Sequence, residues 1–348
     1  MKWILAILLI FTGTGVGFIY YATETYFIKP IGNGNQSIHF EIKSGESFQS
    51  ITKRLEENKI IEHPELLNLL SRIYSLREKI KAGEYVFKND VSPKSLLQIF
   101  IIGKGIDYPF TVTEGLNSFE IAANFEQKGF GKKEEFIRTC ADSVMISELL
   151  NEKIIHCEGY LFPDTYNFAK KTSARQMISV MIKAFIKNYT LIAQGRNLGG
   201  WSRHQILTFA SLIEKETGAA QERPMIASVF FNRLQKGIRL QTDPTVQYGI
   251  LAINGVYPLN ITKKDLITPT PYNTYTKAGL PPGPISNPGR ESLRAVFEPS
   301  KTDFLFFVSR NNGTHVFSKT YEEHQQAVKN FQLDPKARQG KSWRDLAK

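Results

Sequence analysis

From Trp3 to Tyr21 the chain carries no charge, reading WILAILLIFTGTGVGFIYY. A helix of that length reaches across a hydrocarbon layer about 30 Å thick. Lys2 precedes the run and no Lys or Arg follows until Lys29. This asymmetry leaves the N-terminus in the cytoplasm and exports the rest. Trp3, Tyr20 and Tyr21 suit the two interfacial belts. A cleaved signal peptide would need a shorter apolar core and small residues at the cut, whereas this run ends in aromatics and YYATET is a poor cleavage site. The expectation is therefore a single-pass anchor in the cytoplasmic (inner) membrane within residues 1–26, with the body on the extracytoplasmic, periplasmic side. Residues 27–37, which contain the turn-rich IGNGNQS, read as a linker.

The chain has 348 residues, room for about two to three domains. Its 42% hydrophobic content supplies a sizeable core. The net charge of +11 suggests an anionic partner. The Lys and Arg residues are scattered, so no basic arm or stripe is present and no nucleic-acid partner is expected. Six histidines show no HExxH or paired spacing, so neither a metal nor another cofactor is implied. Cys140 and Cys157 lack zinc-site spacing. They permit one disulfide in an oxidising compartment, but nothing in the sequence brings the side chains together, and the favoured reading is two unpaired, partly buried thiols.

Residues 38–109 read as a small module. Ile38, Phe40 and Ile42 alternate as in a strand. Ser44-Gly45 marks a turn, Ser47 is a candidate N-cap, and Phe48, Ile51 and Leu55 follow helical spacing. A second helix is expected from Pro64 to Ile73, a short strand opening at Gly83, and a further helix from Ser92 to Ile102. Strand, turn, helix, helix, strand resembles a LysM module, mainly through Ile42, Ser44, Gly45, Glu46 and Ile51. That resemblance implies binding of N-acetylglucosamine-containing chains; the alternative is a generic α/β packing module.

Residues 110–335 carry the denser motifs. EGYLFPDTYNF, from Glu158 to Phe168, sets Tyr160, Phe162, Tyr166 and Phe168 around a Pro-Asp turn, an arrangement that suits stacking on sugar rings or the core of a turn. ILTFASLIEKET follows. Ile206, Phe209, Ala210 and Ile213 share one helical stripe, and Leu207 and Leu212 widen it until the helix is apolar over most of its circumference. Its C-terminal end bears Glu214 and Glu216. Residues two apart on a helix point about 200° apart, so these are not one catalytic pair. Burial and the negative helix end raise a carboxyl pKa there, as a general acid at neutral pH requires. Periodicity alone does not choose between the two. Beyond the next helix, Arg223 to Lys236, LQTDPTVQYGI packs Gln241, Thr242, Asp243 and Thr245 around a proline. TPTPYNTYTKAGLPPGPISNPG is a loop rich in hydroxyls, amides and prolines, which is costly to order unless it lines a site. DFLFFVSR and THVFS, split by Asn311-Asn312-Gly313, read as a hairpin. Tyr321 to Phe331 reads as a closing helix, and residues 336–348 as a polar tail.

EGYLFPDTY, ASLIEKET, ERPMIASVFFNRL, LQTDPTVQYG, TPYNTYTKAGLPPGPISNPG and the terminal hairpin together resemble the endolytic murein transglycosylase, or YceG-like, family, in order from about Ile38 to Phe331. The resemblance implies an α+β protein: a transmembrane helix, a LysM-like module, and a mixed catalytic domain with a lytic-transglycosylase-like helix carrying the acid. It implies cleavage of the β-1,4 bond between N-acetylmuramic acid and N-acetylglucosamine in nascent peptidoglycan strands, leaving 1,6-anhydro ends. One glutamate then suffices, because the C6 hydroxyl of the substrate is the nucleophile; a common glycosidase uses two carboxyls. The resemblance places the acid at Glu216, just before Thr217, with Glu214 in reserve. It carries Glu222, Gln241, Thr242, Asp243, Tyr272, Asn273, Thr274 and Tyr275 as substrate-binding residues, Gln241 and Asn273 for acetamido or hydroxyl groups. Expected partners are glycan strands and the peptidoglycan synthases that extend them. Two other readings stand beside this one: a lysozyme-like hydrolase with Asp243 as its second carboxylate, and a non-catalytic peptidoglycan-binding scaffold.

Overall fold

The computed structural model describes residues 14–103, 105–196, 198–258 and 260–334. Residues 14–21 are helical. Residues 3–13 of the expected membrane span and the tail 336–348 lie outside the described residues. Among the described residues no helix is long and apolar enough to cross a membrane. The architecture is mixed α+β, in two compact units: one ends at Pro109 and takes in Asn167–Thr172, and the other comprises Phe110–Tyr166 and the chain from Ser173 onward.

In the first unit β1 (Ser37–Ile42) pairs antiparallel with β2 (Gly83–Lys88), in a register running from Ser37 opposite Lys88 to Ile42 opposite Gly83. The alternation of β1 turns Phe40 and Ile42 inward. Between the strands lie α1 (Phe48–Glu57) and α2 (Pro64–Ile73). The Ser47 hydroxyl accepts from the Ser50 amide at 3.2 Å and starts α1. Ile51 and Leu55 then point into the core with Leu67 and Leu70 of α2. After β2, α3 (Pro93–Ile102) adds Leu96 and Phe100. Glu46 binds the turn before α1: its carboxylate accepts from the Lys43 amide at 2.9 Å and from Arg54 Nη1 at 2.9 Å.

The second unit is mainly helical. β3 (Asp107–Val112) and β4 (Asp164–Ala169), which pair with each other, each have residues assigned to both units. Between them lie α4 (Ser118–Gln127), α5 (Lys133–Cys140) and α6 (Ser143–Leu150). The two cysteines are not free thiols: Cys140, the last residue of α5, forms a disulfide with Cys157, with Cα atoms 4.9 Å apart. The sequence could not show this, because the approach is made by the fold of the α5–α6 segment; the Cys157 amide also donates to Cys140 O at 2.9 Å. Tyr160, Phe162, Tyr166 and Phe168 are all buried, so the aromatic cluster of EGYLFPDTYNF is core and presents no ring to a sugar.

The long helix α7 (Ala174–Ala193) precedes α8 (Arg203–Glu216). A capping box between Ser202 and Gln205 starts α8, and every residue from Ile206 to Ile213 is buried. It packs against α9 (Arg223–Gln235) and, further along the chain, α12 (Arg290–Phe297). Between those come α10 (Asp243–Asn254) and α11 (Lys263–Ile267). α10 carries Pro244 in its first turn and stops at Gly255, whose φ of 71° only glycine adopts without strain. The hairpin of β5 (Phe306–Ser309) and β6 (His315–Ser318) forms as expected, with Phe306 opposite Ser318. α13 (Tyr321–Val328) is shorter than the expected closing helix, because the ladder widens into a π turn over Lys329–Leu333.

Candidate active site

The buried length of α8 delivers Glu216 to the wall of a cleft of about 380 Å³. Glu216 is the last helical residue, and Thr217 turns extended with φ of −147°. The carboxyl is only partly open to the cleft. Burial raises its pKa from 4.5 to about 7; the nearby Thr242 hydroxyl opposes this, and the charge of Asp243 adds to it. Thr242 Oγ1 lies near enough to act on that carboxyl but is held in no hydrogen bond of ordinary geometry. At neutral pH, Glu216 is thus poised to donate a proton and take one back.

Gln241, Thr242, Asp243 and Tyr275 line the same cleft. A threonine-rich clasp holds the two loops they come from. Thr242 N donates to Thr274 Oγ1 at 3.1 Å, the Thr245 and Thr274 hydroxyls meet at 2.9 Å, and Thr245 Oγ1 donates to Thr242 O at 2.7 Å. Gln241 adopts a φ of 53°, a left-handed backbone that costs a non-glycine residue about 1 kcal/mol or more and needs support from its surroundings. Its amide donates to Thr274 O at 3.3 Å, and its side-chain oxygen accepts from Arg233 Nη2 at 2.6 Å. Asp243 accepts from the Tyr275 hydroxyl at 2.6 Å. Burial and this carboxylate push the Tyr275 phenol well above its usual range.

The structure separates the remaining predicted residues from this cleft. Glu214 is bound to the buried Arg223 at 3.1 Å and accepts from the Gly289 amide at 2.9 Å, so it is a structural ion pair and not a second acid. Glu222 accepts from the His315 amide at 2.9 Å and contacts its Nδ1 at 2.7 Å, tying α9 to β6. Asn273 is fully buried. Its amide donates to the carbonyls of Asp265, Leu266 and Thr268, and its oxygen accepts from the Tyr275 amide at 2.8 Å. No polar atom of Asn273 is left for a sugar; it shapes the loop that presents Tyr275. Thr274 is likewise buried behind the cleft. Tyr272 packs its ring on Tyr248, with centroids 4.8 Å apart, and burial pushes its hydroxyl up to about 12. Spacing cannot distinguish these roles, since each follows from which way a side chain faces once the loops close.

Two features were missed. Arg233, on α9, is buried and lines the cleft, held by Gln241 and by the carbonyls of Arg239 and Leu305. Glu158 is a second carboxyl raised to about 7, chiefly by burial. It accepts from the Ser118 amide and hydroxyl, Tyr248 Oη at 2.9 Å and Asn287 Nδ2 at 3.2 Å. It joins the start of α4, the middle of α10 and the loop before α12 inside the core; a glutamate before Gly-Tyr carries no sequence signal for that. Among the described residues no cluster of His, Cys, Asp and Glu has the form of a metal site.

Fold and site define a mixed α+β enzyme whose cleft holds one carboxyl balanced near neutrality on the end of a buried helix. The chain belongs to the YceG-like family, whose sequence model matches residues 40–330. It is 34% identical over 323 residues to an endolytic murein transglycosylase of Bacillus subtilis (strain 168), spanning 87% of this chain and 88% of that protein. It is 28% identical over 328 residues to an endolytic murein transglycosylase of Streptococcus pneumoniae (strain ATCC BAA-255 / R6), spanning 85% of this chain and 58% of the relative. A crystal structure of a yceG-like protein from Listeria monocytogenes superposes with a TM-score of 0.56 at 35% identity, covering 84% of this chain and 99% of that one.

Proposed function

We propose that this chain is an endolytic murein transglycosylase with Glu216 as its acid and base. The observation that carries the reading is one poised carboxyl in the cleft, beside an Asp243 that accepts a hydrogen bond from Tyr275. Glu216 is raised to about 7, while Asp243 in the same cleft is engaged by Tyr275. In the proposed reaction, protonated Glu216 gives its proton to the glycosidic oxygen between N-acetylmuramic acid and N-acetylglucosamine. The C1–O bond breaks and positive charge develops at C1. The Glu216 carboxylate then takes the proton of the muramyl C6 hydroxyl as that oxygen closes on C1. The proton count returns to its start, no water is consumed, and the product ends in a 1,6-anhydro ring. Gln241, Thr242, Asp243 and Tyr275 hold the sugar residues around that bond.

The reading extends to the rest of the chain. The apolar run before residue 22 anchors it in the cytoplasmic membrane, with the chain beyond it outside. The Cys140–Cys157 disulfide is in keeping with an oxidising compartment. The β1-α1-α2-β2 unit acts as a LysM-like glycan-binding module through the exposed turn at Ser44 and Gly45, which Glu46 braces and beneath which Ile42 and Ile51 are core. Cutting strands as they are made ends their elongation, which calls for association with the synthases that extend them.

The test is digestion of purified peptidoglycan by the full chain and by its Glu216→Gln variant, with products read by mass spectrometry. Internal fragments ending in anhydromuramic acid, absent with the variant, are expected. Reducing ends, heavier by one water, would instead establish a hydrolase with Asp243 as its second carboxylate. Cleavage undiminished in the variant would remove Glu216 from the chemistry.

A further inference from the structure

The wall of the cleft built by the C-terminal hairpin and helix has no part in the chemistry described above. Thr320 caps α13 through a capping box with Glu323, which fixes the first turn of the helix. Tyr321 and His324, three residues apart, therefore share one face. That face packs on β5: the Phe306 and His324 rings stack with centroids 5.1 Å apart, and Phe306 and Tyr321 lie 5.9 Å apart. Arg233 covers Phe306 at 5.4 Å from its centroid. All four residues line the cleft that holds Glu216.

Two properties of this wall need a partner. Tyr321 is 57% exposed, although its ring is braced by two others and so pre-ordered in a cleft. Nδ1 of His324 is buried without a hydrogen-bond partner, a state that native proteins seldom leave unfilled. An aromatic face with one wet edge, beside an unfilled polar atom, fits a pyranose ring, which offers C–H groups on one face and hydroxyls on its rim. The exposed ring stands on a helix, so what it offers a ligand is a ring face and not a ladder of backbone groups.

We propose that Tyr321, His324 and Phe306 form a sugar subsite of the Glu216 cleft, holding a ring of the glycan chain next to the pair being cut. The subsite rests on the transglycosylase reading. It binds and positions the strand, and it exchanges no proton. It also favours strands over short fragments, because a fragment too short to reach α13 loses this contact.

The experiment uses the full chain, with Tyr321→Ala and Tyr321→Phe each made alone and in the Glu216→Gln background. Turnover of murein glycan strands gives KM and kcat; equilibrium binding of the same strands to the Glu216→Gln pair gives affinity without cleavage. Tyr321→Ala is expected to raise KM and weaken binding about two- to tenfold, with kcat within about twofold. Tyr321→Phe keeps the ring and is expected to match the parent. The large exposure of Tyr321 makes its truncation compatible with folding, and an unchanged melting curve is the accompanying control. Strand binding unchanged by Tyr321→Ala overturns the subsite and leaves the transglycosylase reading in place. Strands that bind no variant, including the Glu216→Gln parent, overturn both.

Discussion

Replacing the buried Glu158 by glutamine should change how stability depends on pH, with a sign and size that follow from its surroundings. Glu158 is 4% exposed and every neighbour that touches its carboxyl donates: the Ser118 amide and hydroxyl, Tyr248 Oη and Asn287 Nδ2. Burial still outweighs these bonds and lifts the pKa from 4.5 to about 7. The folded state therefore keeps a proton that the unfolded state has already released. For such a group the stability is greatest below about pH 4.5, falls as pH rises, and levels off above about pH 7. At about 1.4 kcal/mol per tenfold change, the loss across that window is about 3 kcal/mol. Glutamine has the shape of the neutral acid. Its oxygen can keep Ser118 N and Asn287 Nδ2, and its amide can donate to the two hydroxyls, which rotate to accept. Glu158→Gln should then match the parent within about 1 kcal/mol at pH 5 and exceed it by about 2–3 kcal/mol at pH 8. Urea denaturation followed by Trp fluorescence reads this, since Trp201 packs on Phe209 and Phe231 in the same unit. Glu216 adds a slope of the same sign, which cancels in the difference between the two proteins. A variant less stable by the same amount at both values would refute the reasoning and show that the carboxylate is the stable form.

Other expectations follow from the same geometry. Glu216→Gln should lower kcat about 10²- to 10⁴-fold while leaving the melting temperature unchanged or higher; a kcat within tenfold of the parent would count against the acid. Parental activity should decline as pH rises through about 7, because the first step needs the protonated form of Glu216, and a profile flat from pH 6 to 9 would contradict this. Asn273→Ala strands buried groups that now bond to its side chain, including the Tyr275 amide, and should cost about 2–4 kcal/mol in denaturation; a cost below about 0.5 kcal/mol would show that the loop holds without it. Reducing the Cys140–Cys157 bond, which closes a separation of 17 residues, should lower stability by about 3 kcal/mol, visible as a lower melting temperature in reductant and as no change in a Cys140→Ser, Cys157→Ser double variant.

The local elements were written in local sequence. Alternation set β1, Ser47 set the start of α1, the Asn311-Asn312-Gly313 break set the hairpin, and the unbroken apolar circumference of α8 required a buried helix with its carboxyls at the end. These depend on neighbours within a few residues, so periodicity and capping chemistry report them. The contrast between Glu214 and Glu216 does not. It comes from Arg223, which pairs with one, and from Thr242 and Asp243, which lie beside the other, and those groups meet only when α8, α9 and the loop before α10 pack. The same packing turned Asn273 and Thr274 inward, placed Glu222 on His315, and buried the aromatics of EGYLFPDTYNF. Sequence distinguishes residue types; which face of a loop a polar side chain occupies is decided by the hydrogen bonds it finds across the fold, as for Glu158, whose partners Ser118, Tyr248 and Asn287 come from three distant stretches of the chain.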